Sequence, residues 1–161
     1  MKTPWHQGWN INMIHEIEAL EMAALEQRFI EEGLSYDTVR RLFGRFLLGL
    51  FDNATFSSIF EERTPNLVPH LKKAVACRKI DRRDPAIIKM MHELWVLHDQ
   101  QCGPNADLSN LARCVIVCYG TQEEWEEGDS TDPTAVYLYL VYLKKVIPGI
   151  RPLLIEFFTK D

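Results

Sequence analysis

Asp84-Pro85-Ala86-Ile87-Ile88-Lys89-Met90-Met91-His92-Glu93-Leu94-Trp95-Val96-Leu97-His98-Asp99-Gln100-Gln101 is the stretch that decides the fold. Asp84 offers a side-chain acceptor to the free N–H groups of a first helical turn, and Pro85 stands where a missing N–H does no harm. Behind that start signal apolar residues recur at three- and four-residue spacings, the period of a helix. Ile87, Ile88, Met90, Met91, Leu94, Trp95 and Leu97 cover most of the circumference. A surface helix would be apolar on one side only, so this helix is expected at the centre of the fold.

The same period continues on both sides. After a tail over residues 1–10, a first helix is expected over about 11–32, stopped by Gly33. A second begins behind Ser35 and puts Tyr36, Val39, Phe43, Phe46, Leu47 and Leu50 on one face, with Arg41 and Arg45 on the other. Shorter helices over 54–62 and 67–78 follow, with Pro69 tolerated in a first turn. Past Gly103-Pro104, Asn105 or Asp107 caps a helix to about Tyr119, and Thr121-Gln122-Glu123-Glu124 has the capping-box pattern. Thr131-Asp132-Pro133 repeats the start signal ahead of Val136, Tyr137, Leu140, Val141 and Leu143, and Pro148-Gly149 separates that helix from a last one over 152–158. No segment alternates with period two for long. The expected fold is all-α: a single compact irregular helical bundle of about seven or eight helices over residues 11–161, with short connections that make sequential helices antiparallel.

With 161 residues, 47% hydrophobic and 25% charged, the chain has the size and balance of one globular domain, which excludes fibrous and disordered classes. No apolar run of about 18 residues is present to span a bilayer, and the N-terminus lacks a signal-like apolar stretch. An intracellular, cytoplasmic protein without a membrane role is expected. Cys77, Cys102, Cys114 and Cys118 should then stay reduced, and the sequon at Asn53-Ala54-Thr55 should be without meaning.

Two i,i+4 pairs on neighbouring helices, His98 with Cys102 and Cys114 with Cys118, have the residue types and spacing from which a tetrahedral structural zinc site could be built. The tight Cys-x-x-Cys knuckle is absent, and free cysteine is among the most buried residue types, so four core side chains without a cofactor are the preferred reading. His92-Glu93 and His98 do not make a zinc-protease helix, because the two histidines are six residues apart rather than four. Cys102 beside His98 lacks the electropositive setting of a nucleophilic thiol. No catalytic residue is assigned, and a non-enzymatic protein is favoured.

Charge is unevenly spread. Eleven basic residues (Arg40, Arg41, Arg45, Arg63, Lys72, Lys73, Arg78, Lys79, Arg82, Arg83, Lys89) stand against five acidic ones between positions 40 and 89, a net of +6 in a chain of net −5. Acid collects in the first helix and in Glu123-Glu124-Trp125-Glu126-Glu127-Gly128-Asp129. Opposed basic and acidic helices of one bundle would account for this. So would a surface for a protein partner, since complementary charge speeds and orients association. The expected function is therefore a small accessory or regulatory module that binds protein through Arg78, Lys79, Arg82 and Arg83, with Trp125 as an anchor or as a lid on the core. Nucleic-acid binding through the 72–83 cluster is the alternative, against which a pI near 5.6 counts. Apolar residues on more than one face of the first helix and in Leu153-Leu154-Ile155-Glu156-Phe157-Phe158 point to a homodimer.

Overall fold

The computed structural model describes residues 4–52, 67–126 and 135–160, with side chains from residue 16 onward in the first helix. The helix expected over 54–62, the sequon, Arg63, Glu127, Asp129 and the start signal at Thr131-Asp132-Pro133 lie outside the described residues, as do the side chains of Trp5 and Trp9. Among the described residues there are eight helices and no strand, the all-α fold expected. No helix among them is long and apolar enough to cross a membrane.

The first helix, α1 (Pro4–Glu31), begins inside the segment expected as a tail. Gly33 ends it with φ 72°, and the N–H groups of Gly33 and Leu34 reach back to Ile30 and Phe29 at 3.0 Å each. That pair of bonds is the Schellman closure. Next, α2 (Tyr36–Asp52) buries the six apolar residues expected, together with Arg40 and Gly44. Gly44 has a packing role, since a Cβ there would stand 2.6 Å from Val75 Cγ2 on α3 (Leu67–Ala76).

Asp84 caps α4 (Pro85–Gln101) as expected, its carboxylate accepting from the Ala86 N–H at 2.9 Å. Its central position is not what the structure shows. Only Ile87, Met90 and Leu94 are buried, while Ile88 is 53% exposed. The centre is instead α5 (Ala106–Val117), capped by Asn105, which packs against α4, α3 and α7 (Ala135–Val146) and buries Leu111, Ala112, Cys114, Val115 and Ile116. Small residues along α5 let three neighbours approach it. On α4, Met91, Trp95 and Leu97 pack half-buried against the core, and Ile88 and Val96 stay at the surface.

Between α5 and α7, α6 (Gln122–Glu126) is one short turn, and α8 (Arg151–Thr159) closes the described chain against α2 and α7. Phe43 of α2 stacks on Tyr139 of α7 with centroids 4.1 Å apart and planes 4° apart. Leu154 and Phe158 are buried, and the rings of Phe157 and Phe158 pack on Phe46 and Phe29. Most of the apolar C-terminal segment is thus used within the chain.

Candidate functional site

The basic stretch is built around Arg40. This side chain is 1% exposed and donates to Asp37 Oδ1 at 2.8 Å, to the Ala74 carbonyl at 2.8 Å and to the Cys77 carbonyl at 2.7 Å. Arg41 donates to the Val75 carbonyl at 2.7 Å. Two guanidinium groups of α2 therefore satisfy the carbonyls at the C-terminus of α3, where the helix dipole also favours positive charge. Ile80 is buried beyond them. The segment from 77 to 84 is thus held at its start by Arg40 and in its middle by Ile80, and Arg78, Lys79, Arg82 and Arg83 are left on the outside.

Its two carboxylates are occupied locally: Asp81 accepts from the Arg83 N–H at 2.9 Å, and Asp84 caps α4. Arg82 meets Glu124 at 2.5 Å and donates to the Tyr119 carbonyl at 3.3 Å. Lys72, Lys73, Arg78, Lys79, Arg83 and Lys89 are exposed and form no ion pair among the described residues. The acids of α1 are directed elsewhere. Glu18 is buried and accepts from Lys144 Nζ at 2.8 Å, and Glu21 faces Arg151 at 3.4 Å. Among the described residues, mutual cancellation of basic and acidic helices is confined, within the 72–89 belt, to Arg82 and Glu124.

Trp125 folds back onto the core. Its ring lies 5.3 Å from that of Tyr36, and its indole N–H donates to the buried Glu26. Glu123, Glu124 and Glu126 do not oppose this, because all three stay exposed while Trp125 turns inward. Gln122 adds a second tie, accepting from the Tyr36 N–H at 2.6 Å.

The metal candidates are not brought together. Cys102 is exposed just past the end of α4, its thiol turned to the Asp99 carbonyl at 3.3 Å. The side chain of His98 is directed to Asp99 at 3.1 Å and lies edge-on to Trp95. Cys114 and Cys118 are fully buried, and burial pushes both thiols well above their ordinary range. Among the described residues no three His, Cys, Asp or Glu side chains are grouped to hold a metal ion. Cys102 keeps helical backbone angles at the end of α4, but it and His98 are both turned to Asp99 and Cys102 is exposed, whereas Cys114 and Cys118 are buried, so the two pairs do not share a site.

Residues missed in the sequence are those that place polar groups inside. Arg40 was counted with the surface belt, although it lies four residues after Tyr36 and three before Phe43, on the apolar stripe of α2. Glu18 and Glu26 flank Met22 at the same spacing on the buried side of α1. That spacing was the available signal. No family model, no curated protein and no solved structure matches this chain.

Proposed function

We propose that the chain is a non-enzymatic protein-binding module that docks an acidic surface of its partner onto the cations between Lys72 and Lys89. One observation carries this reading: six exposed cations of that belt form no ion pair among the described residues, and three of them, Arg78, Lys79 and Arg83, stand on a segment fixed from beneath by Arg40 and Ile80. A pre-positioned cluster loses little freedom on binding and steers an oppositely charged surface into register. The chain's net charge of −5 favours a protein over a nucleic acid as the partner. Chemical crosslinking in the native cells tests the reading, comparing the wild-type chain with Arg78→Glu/Lys79→Glu/Arg83→Glu. The expected result is a protein crosslinked through the belt lysines, resistant to nuclease and absent with the variant. A nuclease-sensitive product would turn the surface over to nucleic acid. Equal capture by both chains would remove it from the function.

Self-association through α1 is a second reading, supported by one exposed apolar face. Leu20 is 65% exposed, and Ile17 and Ala24 lie on the same side of the helix. Light scattering at micromolar concentration is expected to give twice 18.7 kDa for the wild-type chain and 18.7 kDa for Leu20→Glu. A monomer mass for the wild-type chain at every concentration would end this reading.

A further inference from the structure

Helices α3 and α4 both lie on α5 and make little contact with each other. Between them runs an open trough of about 580 Å³, walled by Pro69 and His70 on α3 and by His92, Val96, Leu97 and Gln100 on α4. His70 Nε2 stands 3.4 Å from Glu93 Oε2, so the one carboxylate among the described residues that line the trough lies beside an imidazole. On α3, Lys73 lies one turn beyond Pro69 and His70; on α4, Lys89 lies one turn before His92 and Glu93. The loop joining the two helices brings these turns to the same end. Both lysines are exposed and without an ion pair among the described residues. The opposite end carries the neutral Gln100, and Asp99 beside it is turned to His98.

We propose that this trough receives an acidic amphipathic helix of the partner protein, with apolar side chains along Val96 and Leu97 and carboxylates over Lys73 and Lys89. This rests on the reading of the basic belt as a docking surface and extends it by naming the partner's shape. From Lys89 to Gln100 the wall of α4 is about 16 Å long, three turns of a docked helix. Apolar lining at Pro69, Leu94, Val96 and Leu97, with the lysines at one end among the described residues, is complementary to a helix that is apolar on one face and acidic at one end, the helix-in-groove mode of recognition. An open trough of this length suits a row of side chains better than it encloses a small compound.

The probe is a synthetic helical peptide of about five turns, leucine at i, i+3, i+4 and i+7 and glutamate at the exposed positions. Two controls replace its glutamates by lysine or its leucines by serine. Titrated into the isotope-labelled full chain, the acidic peptide is expected to shift the amide resonances of Lys73, Lys89, Val96 and Leu97, and neither control should. Val96→Glu and Lys73→Glu/Lys89→Glu are each expected to weaken it about tenfold, while Arg78→Glu/Lys79→Glu/Arg83→Glu weakens it less. The lysine reversals are on exposed side chains, so loss of the fold does not confuse the result. Shifts confined to residues 78–83, or unchanged affinity for Val96→Glu, would overturn the trough and leave the basic surface standing. The absence of any shift at millimolar peptide would overturn it too, and the crosslinking experiment then judges the basic surface separately.

Discussion

Arg40 and Arg83 carry the same charge and belong to the same basic stretch, yet one is part of the interior and the other of the surface. Arg40 has each of its three guanidinium nitrogens directed at a fixed acceptor, two of them carbonyls at and just past the end of α3. Arg83 is exposed, and among the described residues only its backbone N–H is engaged, by Asp81. The difference lies in position along a helical stripe rather than in chemistry. It separates what holds the segment from 77 to 84 in place from what that segment displays. A count of charges in this stretch merges the two and overstates the cations free to meet a partner.

Replacing Arg40 by Met is the strongest way to break that comparison. Methionine keeps much of the aliphatic volume but leaves two buried or half-buried carbonyls and Asp37 without their donor. Breaking one side of a buried ionic network costs about 3–5 kcal/mol, so chemical denaturation should show a loss of that order. Arg83→Met should change stability by less than about 0.5 kcal/mol. Equal losses for the two variants would show that Arg40 is not a structural tie.

Glycines of α2 give a second contrast of inside and outside. Gly44→Ala drives a methyl group against Val75 of α3 and is expected to cost about 1–3 kcal/mol, the usual range for overpacking. Gly49, five residues along the same helix, has open space around it. Gly49→Ala should stabilise the protein by about 0.5–1 kcal/mol through the helix propensity of alanine. Thermal melts of the two variants should move in opposite directions. A Gly44→Ala protein as stable as the wild type would mean that α2 and α3 can separate at no cost, which would loosen the seat of the basic loop.

Alkaline pH tests the buried side of the comparison alone. Burial, the largest cause, raises Cys114 and Cys118 above the ordinary thiol value of 9.0 and Tyr36 and Tyr139 above the ordinary phenol value of 10.0, although the Arg40 guanidinium opposes it at Cys118, Tyr36 and Tyr139. Above those values the unfolded chain ionises while the folded chain holds its protons. The unfolded state then binds fewer protons, and stability falls as pH rises. The contribution is fully present below pH 9.0 and is lost progressively above it, thiols before phenols. Urea midpoints measured from pH 8 to 11 should fall, and the first part of the fall should vanish in Cys114→Ala/Cys118→Ala. A flat profile in the wild-type chain would show that these groups are reached by solvent. Ordinary metal binding and nucleophilic chemistry both need the thiolate that this burial opposes.

The helices were legible in the sequence because their signals are local. Asp84-Pro85, Asn105 and Gly33 act on the turn they adjoin, and the stripe of α2 from Tyr36 to Leu50 is stated by spacing alone. The centre of the bundle was not legible. Ile88, Met91 and Trp95 make α4 look more buried than α5, but a central helix must let several neighbours approach, which favours the small Ala112, Cys114 and Ser109 over bulk. The meeting of Trp125 with Glu26 joins positions 99 residues apart, and no spacing rule reaches that far. The same limit applied to the four metal candidates. Spacing placed both pairs on inner faces, but it could not say that the end of α4 leaves Cys102 exposed while Cys118, also in a cap position, is buried.

The smallest expected effect is the most informative about the surface. Arg78, Lys79 and Arg83 touch no carboxylate in the described residues, so reversing all three removes no attractive pair. It also relieves repulsion among neighbouring cations in a belt that holds seven basic and two acidic residues between positions 67 and 89. The new glutamates feel Glu124, but that carboxylate is already matched by Arg82. These opposing contributions are each screened within about 8 Å at physiological salt. Arg78→Glu/Lys79→Glu/Arg83→Glu should therefore melt within about 3 °C of the wild type, the shift of a change well under 1 kcal/mol in a domain of this size. A drop like that of Arg40→Met would show that the loop's cations help to hold it in place. An unchanged melt with partner capture lost would assign Arg40 to the scaffold and its exposed neighbours to recognition.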